Sequence, residues 1–261
     1  MLRSAAMPAG PPLRIAAAAD LHCREDSADT LRPLLARMAE SAEVICLCGD
    51  LTHHGRVSEA EALASLLKEI GPTPMVGVLG NHDYECGQVE DVVEILGAAG
   101  LTILSGDEVL IGGVGFAGAK GFGGGFGRHQ LEPWGEPGIK QFVNEAIGEA
   151  LLLETALARI DRRQKIVLLH YAPIFETVAG EPLEIIPFLG SSRLEEPIDR
   201  FGATAVFHGH AHRGSREGKT ASGVPVYNVA VPLLRSGLDV ANAFRVIDVR
   251  VEADLPAELV A

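Results

Sequence analysis

Positive charge is scarce in this sequence. Its 261 residues carry 22 Lys and Arg against 35 Asp and Glu, a net charge of -13, and the densest basic stretch is Arg162-Arg163-Gln164-Lys165. Nucleic-acid binders hold phosphates with clustered cations, so that partner is not expected, and an anionic substrate would need a local source of positive charge. Long apolar runs are missing too. Nothing approaches the roughly 18 residues of a spanning helix, and Pro8, Pro11 and Pro12 interrupt the start before a secretory core could form. No membrane partner is expected, and the expected home is the cytoplasm. Cysteine is sparse: Cys23, Cys46, Cys48 and Cys86 all fall in the first third. A chain this long needs no stapling, so reduced thiols are expected. There is no internal repeat. A Walker loop is also missing, because no Gly-Lys-Ser/Thr follows the glycine-rich residues 121–127.

What is present is a turn-rich folded chain, 47% hydrophobic with 30 Gly and 15 Pro. Residues 1–12 read as a flexible tail and 13–261 as a single domain. Short runs apolar on both faces, Leu13 to Ala19, Val44 to Cys48, Met75 to Leu79, Ile166 to Leu169 and Ala205 to Phe207, predict central strands covered on each side. Between the early ones, Leu31, Leu34, Leu35 and Met38, then Leu63, Leu66, Leu67 and Ile70, recur at helical spacing. Ser58-Glu59-Ala60-Glu61 suggests a capping box for the second helix. Alternating strands and helices mean an α/β sheet. Gly112-Gly113 predicts a hairpin turn, residues 121–127 a mobile or lid-like loop, and the residues after Pro137 a long amphipathic helix ending near Arg162. Turns at Gly214, Gly218 and Gly223 suggest a second sheet in the C-terminal half.

The polar residues fall in a telling place. Each central apolar run ends in ligand chemistry: Asp20-Leu21-His22, Gly49-Asp50-Leu51-Thr52, Gly80-Asn81-His82-Asp83, His170, and Gly209-His210-Ala211-His212. Open α/β sheets bind ligands beyond the carboxyl ends of their strands, so these groups are expected in one crevice.

This ordered set resembles the calcineurin-like metallophosphoesterase family, from Asp20 to His212. The resemblance implies a four-layer α/β/β/α sandwich of two mixed sheets with flanking helices, and a dinuclear metal site on one edge. It places Asp20, His22, Asp50 and His212 on one metal and Asp50, Asn81, His170 and His210 on the other, with Asp50 bridging. Two divalent or trivalent transition-metal ions (Mn, Fe, Zn, Ni or Co) would outweigh the charges of Asp20 and Asp50. That supplies the missing positive charge for a small phosphorylated substrate, and activates water for in-line attack. His82 is implied as the residue acting near the leaving group, with Asp83 orienting it. The implied function is metal-dependent phosphoric ester hydrolysis, by a phosphomonoesterase or phosphodiesterase. The narrower alternative is a cyclic nucleotide phosphodiesterase; the alternative of another class is a non-catalytic scaffold of the same fold. Nearby, His53 and His54 read as loop or supporting residues, and His208 as support or packing. Lys120, Arg128, His129 and Arg193 are candidates for substrate contact.

Overall fold

The computed structural model describes residues 11–235 and 239–251; residues 1–10 of the expected tail lie outside them. Strands β1 (Leu13–Ala18), β2 (Val44–Cys48), β3 (Met75–Val78) and β4 (Leu101–Ile103) run parallel, alternating with helices α1 (Ala28–Ser41), α2 (Val57–Glu69) and α3 (Val89–Ala98). After them come the hairpin β5 (Asp107–Ile111) and β6 (Val114–Gly118), helix α4 (Pro137–Arg159) and β7 (Lys165–Leu168). Next are α5 (Glu195–Arg200), β8 (Ala205–His208), β9 (Glu217–Lys219) and β10 (Pro225–Asn228). A short α6 (Val231–Leu234) and β11 (Arg245–Val249) complete the elements. One sheet has the order β11-β1-β2-β3-β4, the other β5-β6-β7-β8-β10-β9, and both are mixed.

Strand alternation explains why the central runs are apolar throughout. Ile15, Ala17, Val44, Cys46, Val76 and Val78 point into the space between the sheets, where they meet Phe116, Ile166, Leu168 and Phe207. Their neighbours Ala16, Ala18, Ile45 and Leu47 point the other way, onto Leu31, Leu34, Leu35, Leu63, Leu67 and Leu96 of the helices. On the far side, Val167, Val206 and Val226 pack under Leu153, Leu157 and Ile198 of α4 and α5. Helices, sheet, sheet and helices thus form the four expected layers. Gly112 and Gly113 both take positive φ, 58° and 83°, as the two-residue hairpin turn requires.

Several local expectations are corrected. Helix α2 begins at Val57, so Ser58 lies inside its first turn and donates its hydroxyl to Glu25. The capping carboxylate is Glu59, fully buried, which accepts the backbone N–H of Arg56 at 3.3 Å and of His54 at 2.7 Å. Gly218 sits within β9 rather than in a turn, and β11 crosses back to the edge of the first sheet beside β1. The glycine-rich stretch is held rather than free. Gly121 N–H donates to the Glu149 carboxylate, Gly124 N–H to Pro187 O at 2.7 Å and Gly125 N–H to Gly190 O at 2.9 Å. All four cysteines are free thiols, and no described helix is long and apolar enough to cross a membrane.

Candidate metal centre

The strand ends deliver their polar residues to one place. Asp20 and His22 follow β1, Asp50 follows β2, Asn81 and His82 follow β3, His170 follows β7, and His210 and His212 follow β8. Asp20, His22, Asp50 and His210 all have positive φ, at 58°, 43°, 48° and 68°. Left-handed backbone is costly for such side chains, and its concentration on four candidate ligands marks a turn shaped to aim donors rather than to save energy.

The glycines of the three motifs make room for those donors. A Cβ on Gly49 would stand 2.4 Å from His170 Nδ1, one on Gly80 would stand 2.2 Å from Asp50 Oδ1, and one on Gly209 would stand 2.4 Å from Asp20 Oδ2. Each glycine therefore clears space for a ligand carried by a different strand, which is the physical content of Gly-Asp, Gly-Asn-His and Gly-His in this chain.

Four groups of donor atoms lie close enough among the described residues; two are His22 with His53 and His82, and His54 with His82 and Glu85, and the two that include the buried carboxylates are the following. Asp20, His22 and His212 bring their ligand atoms within 4.8 Å of one another, and so do Asp50, His170 and His210. The groups adjoin through Asp50, whose Oδ2 is 3.7 Å from His22 Nε2 and whose Oδ1 is 3.3 Å from His170 Nε2. His170 supplies the test of whether a cation fits. Its Nδ1 donates to Cys48 O at 3.1 Å, so the neutral ring turns an unprotonated Nε2 towards Asn81 Oδ1 at 3.0 Å and Asp50 Oδ1. Lone pairs on nitrogen and oxygen converge there, and a bound cation satisfies all of them at once. His210 behaves alike: its Nε2 donates to Phe188 O, leaving Nδ1 as the acceptor. His22 Nδ1 is buried without a hydrogen-bond partner among the described residues.

Electrostatics agrees. Burial holds His170 and His22 down to about 4 and His210 to about 3, so the rings stay neutral and able to ligate near pH 7. Burial, then the neighbouring carboxylates Asp20 and Asp83, push Asp50 up to about 9. That carboxylate lacks a positive neighbour strong enough to keep it ionised, which a cation provides. For Asp20 burial acts upward, but the hydrogen bond from His212 Nε2 at 3.0 Å and the surrounding imidazoles prevail and bring it to about 2.

His82 stands beside these groups, one third exposed, with Nε2 4.0 Å from Asp50 Oδ2. Its Nδ1 donates to the backbone oxygen of His53 at 2.7 Å, and the Glu85 carboxylate lies 3.4 Å from the same nitrogen. Asp83, expected to orient the ring, makes its hydrogen bonds elsewhere. It is fully buried and accepts from Leu51 N, Thr52 N, Thr52 Oγ1 and Gly80 N, tying the loop after β2 to the loop after β3. The sequence reading misses the part of Glu85 at His82 and of Glu59 beneath the His54 loop. For Glu59 a signal is there: it sits four residues before Leu63 on the apolar face of α2, where a carboxylate needs buried donors.

The remaining candidates are occupied elsewhere. His208 is buried and bonded to Gly209 O and the Thr177 hydroxyl. Lys120 pairs with Glu149 at 3.1 Å. Arg193 donates to Leu131 O and pairs with Glu132 at 3.3 Å, and Arg128 donates to His129.

Residues 13–214 match the profile of the family described as calcineurin-like phosphoesterase. No curated protein matches the sequence. Among solved structures, a phosphopantetheinyl hydrolase from Mycobacterium tuberculosis is similar with a TM-score of 0.65 and 14% identity, over 91% of this chain and 96% of that one. A protein of Thermus thermophilus, TT1561, gives 0.57 and 18% identity, over 92% and 100%. A putative 5'-nucleotidase from Staphylococcus aureus gives 0.52 and 14%, over 93% of this chain and 55% of that one. At these identities the structures establish a shared fold.

Proposed function

Because the chain belongs to the calcineurin-like phosphoesterase family, whose members are metal-dependent hydrolases of phosphoric esters, we propose that it cleaves a small phosphorylated substrate with two metal ions held at the ends of β1, β2, β3, β7 and β8. Asp20, His22 and His212 would hold one ion and Asn81, His170 and His210 the other, with Asp50 available to both. The observation that carries this reading is the bare Nε2 of His170 facing two oxygen acceptors, beside a carboxylate shared with the second donor group. When bound, the ions supply Lewis acidity towards the phosphoryl oxygens and an acidified water as nucleophile.

The protein's own residues do the rest. The bond from the attacking oxygen to phosphorus forms as the ester P–O bond breaks, and the leaving oxygen needs a proton. His82 is the side chain placed to deliver it from Nε2, because Nδ1 is already committed to His53 O. Glu85 offsets the positive charge the ring carries while protonated. Asp83 acts through the backbone, fixing the relative position of Asp50 and Asn81. A scaffold without activity would have no use for this complete donor set. The names of two structural neighbours, a phosphopantetheinyl hydrolase and a putative 5'-nucleotidase, accord with hydrolysis of either a diester or a monoester, and a cyclic nucleotide is the narrower candidate among diesters. The test is hydrolysis of p-nitrophenyl phosphate and bis(p-nitrophenyl) phosphate by protein stripped with chelator and reloaded with Mn, Fe, Zn, Ni or Co. Turnover of at least one ester that requires reloading supports the reading; no turnover with any metal refutes it.

A further inference from the structure

Several arginines of this acidic protein face carboxylates: Arg14 pairs with Glu43, Arg32 with Glu69, Arg200 with Glu154 and Arg245 with Glu217. Arg24 instead meets an imidazole next to the candidate ligands. It is exposed, lies two residues after His22, and donates from Nη2 to Nε2 of His53 at 2.7 Å. Among the described residues no carboxylate stands within ion-pair distance of it.

Its place matters more than its freedom. The His53 ring stacks on His82, with centroids 5.9 Å apart and planes 24° from parallel, and meets His22 edge-on at 5.6 Å. Because a guanidinium can only donate, His53 Nε2 accepts, and this contact holds Arg24 against the ring beside His82. His53 is itself fixed. Its backbone N–H donates to Cys23 O at 3.0 Å, its backbone oxygen receives His82 Nδ1, and the following N–H of His54 is clamped by buried Glu59. The guanidinium is therefore held by a fixed loop whose His53 ring borders both His22 and His82, and among the described residues its remaining N–H groups bond to nothing.

We propose that Arg24 binds a second phosphate carried by the leaving group, so that the preferred substrates are phosphoric esters whose departing alcohol itself bears a phosphate. This rests on the assignment of His82 to the leaving-group side. A planar guanidinium with several open donors matches two phosphate oxygens at once. It also adds a cation just where bulk composition offers few. In the reaction the scissile P–O bond opens, the departing alkoxide takes its proton from His82, and the second phosphate stays intact on Arg24 until product leaves.

A matched pair of esters tests this: propyl phosphate and 1,3-propanediol bisphosphate, which share the scissile bond and differ by the second phosphate. Wild-type protein should show the higher kcat/KM on the bisphosphate. Arg24→Gln should lower kcat/KM on the bisphosphate by about tenfold or more, chiefly through KM, while propyl phosphate changes by less than about threefold. Arg24→Lys, which keeps charge and loses the fork, should fall between. Equal losses on both esters, or none on either, overturn the role of Arg24 while leaving hydrolysis itself established. If the reloaded wild type hydrolyses neither these esters nor the p-nitrophenyl esters, the phosphoesterase reading fails and this inference falls with it.

Discussion

Asp50 is the residue on which the centre turns. Burial beside two other carboxylates pushes it up to about 9 without a cation, so in stripped protein it holds a proton that the unfolded chain releases near pH 4. A raised native pKa contributes stability that is lost as pH rises towards it. Metal-free protein should therefore lose roughly 1 kcal/mol of unfolding free energy from pH 7 to pH 8. Asp50→Asn, which cannot titrate, should flatten that dependence in urea melts and should lose at least one equivalent of metal. An unaltered slope in the variant would contradict this assignment. His82 is expected to act otherwise. His82→Ala should keep its metals yet lose about 100-fold or more on an alkyl phosphate, and much less on p-nitrophenyl phosphate, whose leaving group departs without a proton. Equal losses with released metal would make His82 a ligand. The ligands themselves are legible in the sequence because each is a polar group at the end of an apolar run. The part played by Asp83 is not: its four partners are backbone and hydroxyl groups of two loops, and nothing in the order Asn81-His82-Asp83 shows which way a buried carboxylate turns.

Among the elements, the strands that end in ligands are readable almost to the residue, since Val44–Cys48 and its parallel neighbours are buried on both faces. The edges are less so. β11 is half-buried and pairs with β1 from more than 200 positions away, so its sheet cannot be inferred from its own alternation. The glycine-rich segment misleads for a related reason. Its glycines suggest a lid's freedom, but what they provide is close approach to residues far along the chain. A Cβ at Gly123 would lie 2.8 Å from Pro187 O and 3.0 Å from Phe188 Cα, both backbone. Gly123→Ala should therefore cost about 1–3 kcal/mol in urea unfolding; a passive or mobile loop would show no such loss. Because Phe188 O receives His210 Nε2, the same substitution should also weaken metal retention, which elemental content after dialysis would reveal.

At the scale of the whole molecule, the two sheets exist to bring distant segments together. Asp20 and His212 are hydrogen-bonded across 192 positions, and His170 Nε2 is brought within 3.0 Å of Asn81 Oδ1 across 89. Motif order identifies this convergence, whereas the sandwich that achieves it is legible only through resemblance, because two sheets stacked face to face and one doubly covered sheet produce the same apolar runs. A net charge of -13 would repel a phosphate dianion unless cations at this edge reverse the local field. Metal occupancy thus decides whether this edge can hold a phosphate. The most direct measurement is metal content per chain by elemental analysis, with anomalous scattering from crystals of the reloaded protein to locate the ions. Two ions are predicted, one among Asp20, His22 and His212 and one among Asn81, His170 and His210, with Asp50 touching both. A single ion, or ions bound away from Asp50 in a protein that still hydrolyses phosphoric esters, would contradict it.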